Sequence, residues 1–398
     1  MTQTQTPTPS SQAGDATAAP VTRVVPAHTP VRGWAELTAA TGALFASPAW
    51  VGATTVLGAP VRLALARAGT DDDTPLLGLL PFVVQDVAGV PVVRFAGTGP
   101  SDYGTVPVTP GADRVAVVAA LLDAVLADVT GGAAEGRAQG DVVLDLQQVS
   151  ELDPTAQAVR TWADARGRAV RERVQAETIR RTFGPDDSRE SKNRRTKDRK
   201  TLKRLAALGA VEVCTDLLPD PVGADALVEE LRAVDAAHPN ADERNQPWTG
   251  TTGRLLAHHL RTAPPASRWL TGVRVDGRLV AYTLNLVAGN AVATYLCSYR
   301  REIADAGAGT LLLHEVRRRA FAHGAAALDL LRGLEPYKFR LATSTHVSHR
   351  LVVLPDGGTR WTLLGAALTW RQDLRPVVLR VRTWRDARRG QDRPTSAE

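Results

Sequence analysis

Residues 268–299, RWLTGVRVDGRLVAYTLNLVAGNAVATYLCSY, decide the fold. Arg268 to Val275 and Arg278 to Val287 flank Asp276-Gly277, and a two-residue turn of this composition closes an antiparallel hairpin with positive φ at both central positions. Ala288-Gly289-Asn290 turns the chain again into a third strand, Ala291 to Tyr299. After Gly307-Ala308-Gly309-Thr310, the segment Thr310 to His323 carries Leu312, Leu313, Val316 and Ala320 at helical spacing and stops at Gly324. Ala325 to Leu331 reads as a further strand, with Leu328 and Leu330 on one face and Asp329 on the other.

The first half repeats this order without an obvious repeat of sequence. Val61 to Ala66, Leu76 to Gln85 and Val90 to Gly97 have strand character, Ala112 to Val129 is helical, Asp141 to Leu146 alternates, and Pro154 to Arg166 is a short helix. Two halves of the same order imply a duplicated α/β unit with mixed, mostly antiparallel sheets. The expected divisions are a disordered tail 1–20, an N-terminal half 21–187, a basic linking helix 188–209, a C-terminal half 210–356, a C-terminal strand or turn (Trp361 to Leu368) with a final basic helix (Asp373 to Arg389) in 357–390, and a tail 391–398.

The 398 residues, with 44% hydrophobic and 23% charged, exclude a wholly disordered, collagen-like or disulfide-stapled chain. Cys214 and Cys297 form no C-x-x-C pair and His258-His259 are adjacent, so no metal site is expected. The longest weakly polar stretch, Leu279 to Leu296, contains Asn285 and Asn290, which excludes a membrane span. The first 20 residues lack the pattern of a secretory signal, and the expected location is the cytoplasm.

The charge is unevenly placed. Ser188 to Arg204 holds nine cations against two acids, an excess larger than the +6 of the whole chain, and Arg371 to Arg393 has eight arginines against three aspartates. Such clusters suit phosphate-bearing partners, although a solvated helix face reads the same way. Lys192 and Arg195 of the first cluster are candidate substrate contacts.

Three further segments carry chemistry. The turn at Gly307, Ala308, Gly309 and Thr310 exposes amides at a helix start, a setting that binds phosphate, or else is merely a flexible turn. Directly after the last strand comes Arg332-Gly333-Leu334-Glu335-Pro336-Tyr337-Lys338. Lys338 is the only lysine outside the basic cluster; Glu335 is a candidate base and Tyr337 a candidate acid. The plain alternative is a surface loop whose aromatic residues pack under the sheet edge. Ser101, Asp102 and Tyr103 offer acceptor contacts or simply stabilise a turn. Trp248 lines an acceptor cleft or anchors its loop.

The R-F-A-G strand with Ser101-Asp102-Tyr103, the basic helix, the Gly307 to Leu312 turn and above all Asp329 to Lys338 resemble the BioF2-like acetyltransferases of the GNAT superfamily, related to CelD-like and FemAB-type proteins. The resemblance runs over roughly Val21 to Pro355 and implies two tandem GNAT-like folds with acyl-CoA at the second. In that superfamily a Gln or Arg usually precedes the first glycine of the pyrophosphate loop by three residues; Ala304 stands there, with Arg300 or Arg301 as substitute. It further implies an acyl-CoA co-substrate such as acetyl-CoA, no tightly bound cofactor, and transfer of the acyl group to an amine of a small-molecule or saccharide acceptor, for example an amino sugar or a cell-envelope precursor. Glu335 or Asp329 would take the proton. Two alternatives stay open: aminoacyl-tRNA-dependent transfer to a peptidoglycan precursor, and a non-catalytic protein whose basic helix binds nucleic acid or an anionic polymer.

Overall fold

The computed structural model describes residues 19–131, 142–188, 192–242, 246–356 and 358–373. The first half comprises β1 (Val21–Pro26), α1 (Trp34–Thr41), α2 (Pro48–Thr54), β2 (Arg62–Arg67), β3 (Leu76–Val87), β4 (Val90–Phe95), α3 (Arg114–Gly131), β5 (Val143–Ser150), α4 (Thr155–Ala165) and β6 (Ala169–Thr182). The basic helix α5 (Lys192–Ala206) leads to β7 (Val211–Cys214), α6 (Ala224–Ala236) and α7 (Gly250–Thr262). Then follow β8 (Arg268–Val275), β9 (Arg278–Ala288), β10 (Ala291–Tyr299), α8 (Ala308–Ala322), β11 (Ala327–Arg332), α9 (Pro336–Phe339), β12 (Ser344–Leu354) and α10 (Thr359–Asp373).

Among the described residues all the strands join one mixed sheet of twelve, in the order β1-β2-β3-β4-β5-β12-β6-β11-β10-β9-β8-β7. Exchanging each strand for the one six places on and reading backwards returns the same order, so the halves are related by a pseudo-two-fold axis between β12 and β6. These two run antiparallel from Ser344↔Arg180 to Leu354↔Ala169. The axis therefore stands normal to the sheet, and corresponding helices share a face. Each half also gives its sixth strand to the other: β6 pairs with β11, and β12 with β5.

On one face α3 buries Val118, Leu121, Leu122 and Val125 against Leu144 and Leu146 of β5. On the same face α8 buries Leu313, Val316 and Ala320 against Leu328 and Leu330 of β11. The spacing of these residues follows the 3.6-residue period of each helix. The opposite face is covered by α2, α6 and α7 over β9 and β10, and by α1 over β2 and β3. The β8–β9 turn has φ of 48° at Asp276 and 76° at Gly277, the type I′ geometry expected of this dipeptide.

The segment Trp361 to Leu368, expected as strand or turn, is helical within α10. Trp361, Leu364 and Leu368 at helical spacing dock on Val352 and Leu354. The expected final helix beyond Asp373, most of the second basic cluster and nearly all of the expected N-terminal tail lie outside the described residues. Among the described residues no helix is long and apolar enough to cross a membrane.

Candidate active site

Parallel pairing of β10 with β11 is confined to Val292↔Leu328 and Ala293↔Asp329. Immediately beyond that rung both strands are irregular: β10 shifts register between Thr294 and Leu296, and β11 between Asp329 and Arg332, where Leu331 has φ of 57°. The strands fork there, and the inner edges of the fork are not paired to each other.

The N-terminus of α8 stands beside the fork. Gly307, at φ 85°, is its N-cap and provides no capping side chain. The first-turn amides of Ala308, Gly309 and Thr310 therefore have no intrahelical acceptor. A Cβ on Gly309 would meet the Tyr299 ring at 3.3 Å and one on Gly307 the Thr201 hydroxyl at 3.3 Å, so both glycines keep the approach open. A cleft of about 740 Å³ runs from these amides past Cys297 and Tyr299 to Glu335 and Tyr337. A second hollow, of about 430 Å³, continues from Gly307 and Thr310 along α5. Arg194, Lys197, Lys200 and Arg204 line it from the helix, and Arg340 from beyond α9.

The corresponding helix start in the first half is different. Asp113 precedes α3 and its carboxylate accepts from the Ala116 amide at 3.1 Å. That cap consumes an orphan donor and puts negative charge where an anion would have to sit.

Gly307, Ala308, Gly309, Thr310, Glu335 and Tyr337 thus come together around one cleft. The remaining sequence candidates fall elsewhere. Arg301 points away, donating to the Pro239 carbonyl at 2.9 Å. Lys192 and Arg195 are exposed on α5, off the stripe that lines the hollow. Helical spacing puts these four cations along one side of α5, flanking the buried Leu205. Trp248 is a core residue, 1% exposed, with its indole N–H donating to the Tyr282 hydroxyl at 2.7 Å. Lys338 is buried: its ammonium donates to the carbonyl of Arg332 at 2.5 Å and of Gly333 at 3.4 Å, and pairs with Glu335 at 2.9 Å. Its place is beneath the turn after β11, holding Glu335 in position.

Asp329 is on the sheet face opposite α8, with Tyr103. The Tyr103 hydroxyl donates to both its oxygens at 3.0 and 3.2 Å, and the Leu331 amide donates at 2.7 Å. Burial, outweighing these hydrogen bonds, pushes Asp329 above the usual carboxylate value, and burial together with the Asp329 charge raises Tyr103. Asp102 pairs with Arg332, and Ser101 accepts from the Trp50 indole at 2.9 Å. The structure therefore separates the two candidate proton acceptors, Glu335 on the α8 side and Asp329 on the other, with the fork between them.

Residues 192–339 match a protein family described as an acetyltransferase (GNAT) domain. A search of curated proteins finds no match. Among solved structures, FemX is similar at 13% identity with a TM-score of 0.55, covering 83% of this chain and 96% of its own. A conserved protein of unknown function from Bacteroides thetaiotaomicron is similar at 13% identity and a TM-score of 0.53, covering 82% and 98% respectively. At these identities the two structures speak for the fold alone. On this match, residues 192–339 are similar to a GNAT-type acetyltransferase domain, and the protein is an acyltransferase.

Proposed function

We propose that the protein transfers an acyl group from acyl-CoA to an amine, in the manner of the BioF2-like acetyltransferases it resembles and on cytoplasmic acyl-CoA. The observation that carries this reading is the uncapped α8 start: two glycines hold it open and a 740 Å³ cleft leads from it to the fork. Orphan amides and the helix dipole suit a diphosphate, and the cations of α5 suit further phosphate on the nucleotide end. The pantetheine arm then lies along the unpaired edges of the fork, where a backbone N–H polarises the thioester carbonyl. The amine nitrogen bonds to the acyl carbon and the C–S bond breaks. One amine proton passes to Asp329 or Glu335, and the departing thiolate takes one from Tyr337. Holding both reactants at the fork supplies much of the acceleration.

Calorimetric titration with acetyl-CoA tests the donor. Wild-type protein should bind, and Gly309→Asp should lose about tenfold or more in affinity, because the new side chain crowds Tyr299 and brings a carboxylate to the anion site. Equal heats for the two proteins would remove the α8 start from donor binding.

The α5 cations favour one other reading, an acyl donor carried on tRNA, because a stripe of four side chains fits a phosphate backbone as well as a nucleotide. Such binding would weaken steeply and linearly in log–log terms with added salt, whereas CoA binding would fall only gently.

A further inference from the structure

The triplet Leu-Asp-Leu occurs once in each half, as Leu144-Asp145-Leu146 on β5 and Leu328-Asp329-Leu330 on β11. In both, the leucines pack under the helix of their own half and the aspartate faces the other side. Asp145 and Asp329 thus lie on the corresponding strand and the same face of their two halves, each strand running parallel to the one that precedes the helix. Their surroundings differ. Asp145 is fully buried and saturated: Arg350 grips it at 2.6 and 2.8 Å, Arg94 donates at 2.7 Å and Gln147 at 3.0 Å. Among the described residues, the hydrogen bonds to Asp329 come only from neutral donors, Tyr103 and Leu331, and the Arg180 charge acts on it without a hydrogen bond. Its cross-strand neighbour Arg180 makes no side-chain hydrogen bond among the described residues, and its Nε is buried without a partner. Both residues line a cleft of about 490 Å³ that Arg114 and Asp153 also border; Arg114 donates to the Val106 carbonyl and stands 3.9 Å from Asp153.

We propose that this cleft is the acceptor site and that it selects a small zwitterionic amine of the amino-acid type, with the carboxylate on Arg180 and the amine at Asp329. A guanidinium facing an open cleft without a hydrogen-bond partner is matched by a carboxylate, to which it can donate two parallel bonds. Asp329 belongs to the last paired rung of the fork, so an amine on it lies next to the point where an acyl carbon arrives from the α8 side. Burial has already raised Asp329, which suits it to take the proton that turns the ammonium into a nucleophilic amine; the second proton, lost once the N–C bond has formed, replaces the one Tyr337 gives to the thiolate. The volume is that of a small-molecule site. The placement of the reaction rests on the acyl-CoA reading; binding of the zwitterion does not.

The probes are amino acids matched with their decarboxylated amines: L-serine with ethanolamine, L-ornithine with putrescine, L-phenylalanine with phenethylamine. Ligand-detected NMR on the full chain reads binding, and thiol release from acetyl-CoA reads turnover. At least one amino acid should bind about tenfold or more tightly than its decarboxylated partner. Arg180→Gln should bring that ratio close to one, Arg180→Lys should restore part of it, and neither should change acetyl-CoA binding. Absence of binding by every amino acid, or an unchanged ratio in Arg180→Gln, overturns the proposal. Amino-acid binding with no heat from acetyl-CoA would uphold the site and overturn the donor instead.

Discussion

Lys338→Met separates a structural from a catalytic lysine. The wild-type ammonium is nearly enclosed and donates to two main-chain carbonyls, the bond to Arg332 being short and the one to Gly333 long, while Glu335 on its third side is half exposed. A charged hydrogen bond contributes about 1.5–3 kcal/mol, and the pairing with a half-exposed Glu335 adds about 0–1 kcal/mol after solvent screening. Methionine matches the stem but leaves the carbonyls with no donor, so the loss should be about 3–4 kcal/mol. With an unfolding entropy of roughly 2.1 cal/mol/K per residue, this corresponds to a drop of about 4 °C in a two-state melt of the whole chain. Differential scanning calorimetry with an acetyl-CoA titration on the same sample reads both consequences. The thermal midpoint should fall while the residual folded protein binds acetyl-CoA normally. A variant that melts with the wild type yet has lost turnover would refute this account and return Lys338 to the chemistry.

Asp329→Asn should lower kcat by about 10²–10⁴ if Asp329 is the proton acceptor, with acetyl-CoA affinity unchanged because the donor lies across the sheet. The wild-type acid limb of kcat/KM should lie above the ordinary carboxylate range and vanish in the variant. The same raised pKa has a sign in stability: ionising Asp329 penalises the folded state, a penalty absent below the ordinary value of about 3.9 and growing as pH rises. The melting point of Asp329→Asn relative to wild type should therefore improve from acid to neutral pH. Arg350→Met should cost about 3–5 kcal/mol in denaturant unfolding, because it strips the bidentate partner from the fully buried Asp145; a loss below 1 kcal/mol would show that Arg94 and Gln147 satisfy the carboxylate alone.

The elements with a clear hydrophobic period were legible in the sequence, among them the Asp276-Gly277 hairpin, α3 and α8. β6 was not. Six of the fourteen residues of its AVRERVQAETIRRT are charged and Glu172 to Val174 are exposed, although the strand lies at the centre of the sheet. Both β6 and β12 are strands only by virtue of partners more than 100 residues away, and no local rule anticipates such pairing. Around the site, the glycine turn and Glu335 could be found from residue type and position. Arg180 could not, since only the exchange of strands brings it beside Asp329. The repeated Leu-Asp-Leu is visible in the sequence, but the triplet alone does not distinguish a saturated aspartate from an open one.

The crossing-over of the sixth strands makes the two halves mutually dependent. A chain cut within residues 189–191 would yield one fragment whose β5 edge is bare and whose β6 has nowhere to lie, and a second fragment with the converse defect. Neither should fold in isolation, yet the pair carries every missing partner. Co-expression of the two pieces should then reconstitute a single non-covalent particle, with the closing of the central β6–β12 ladder as its final, slowest event.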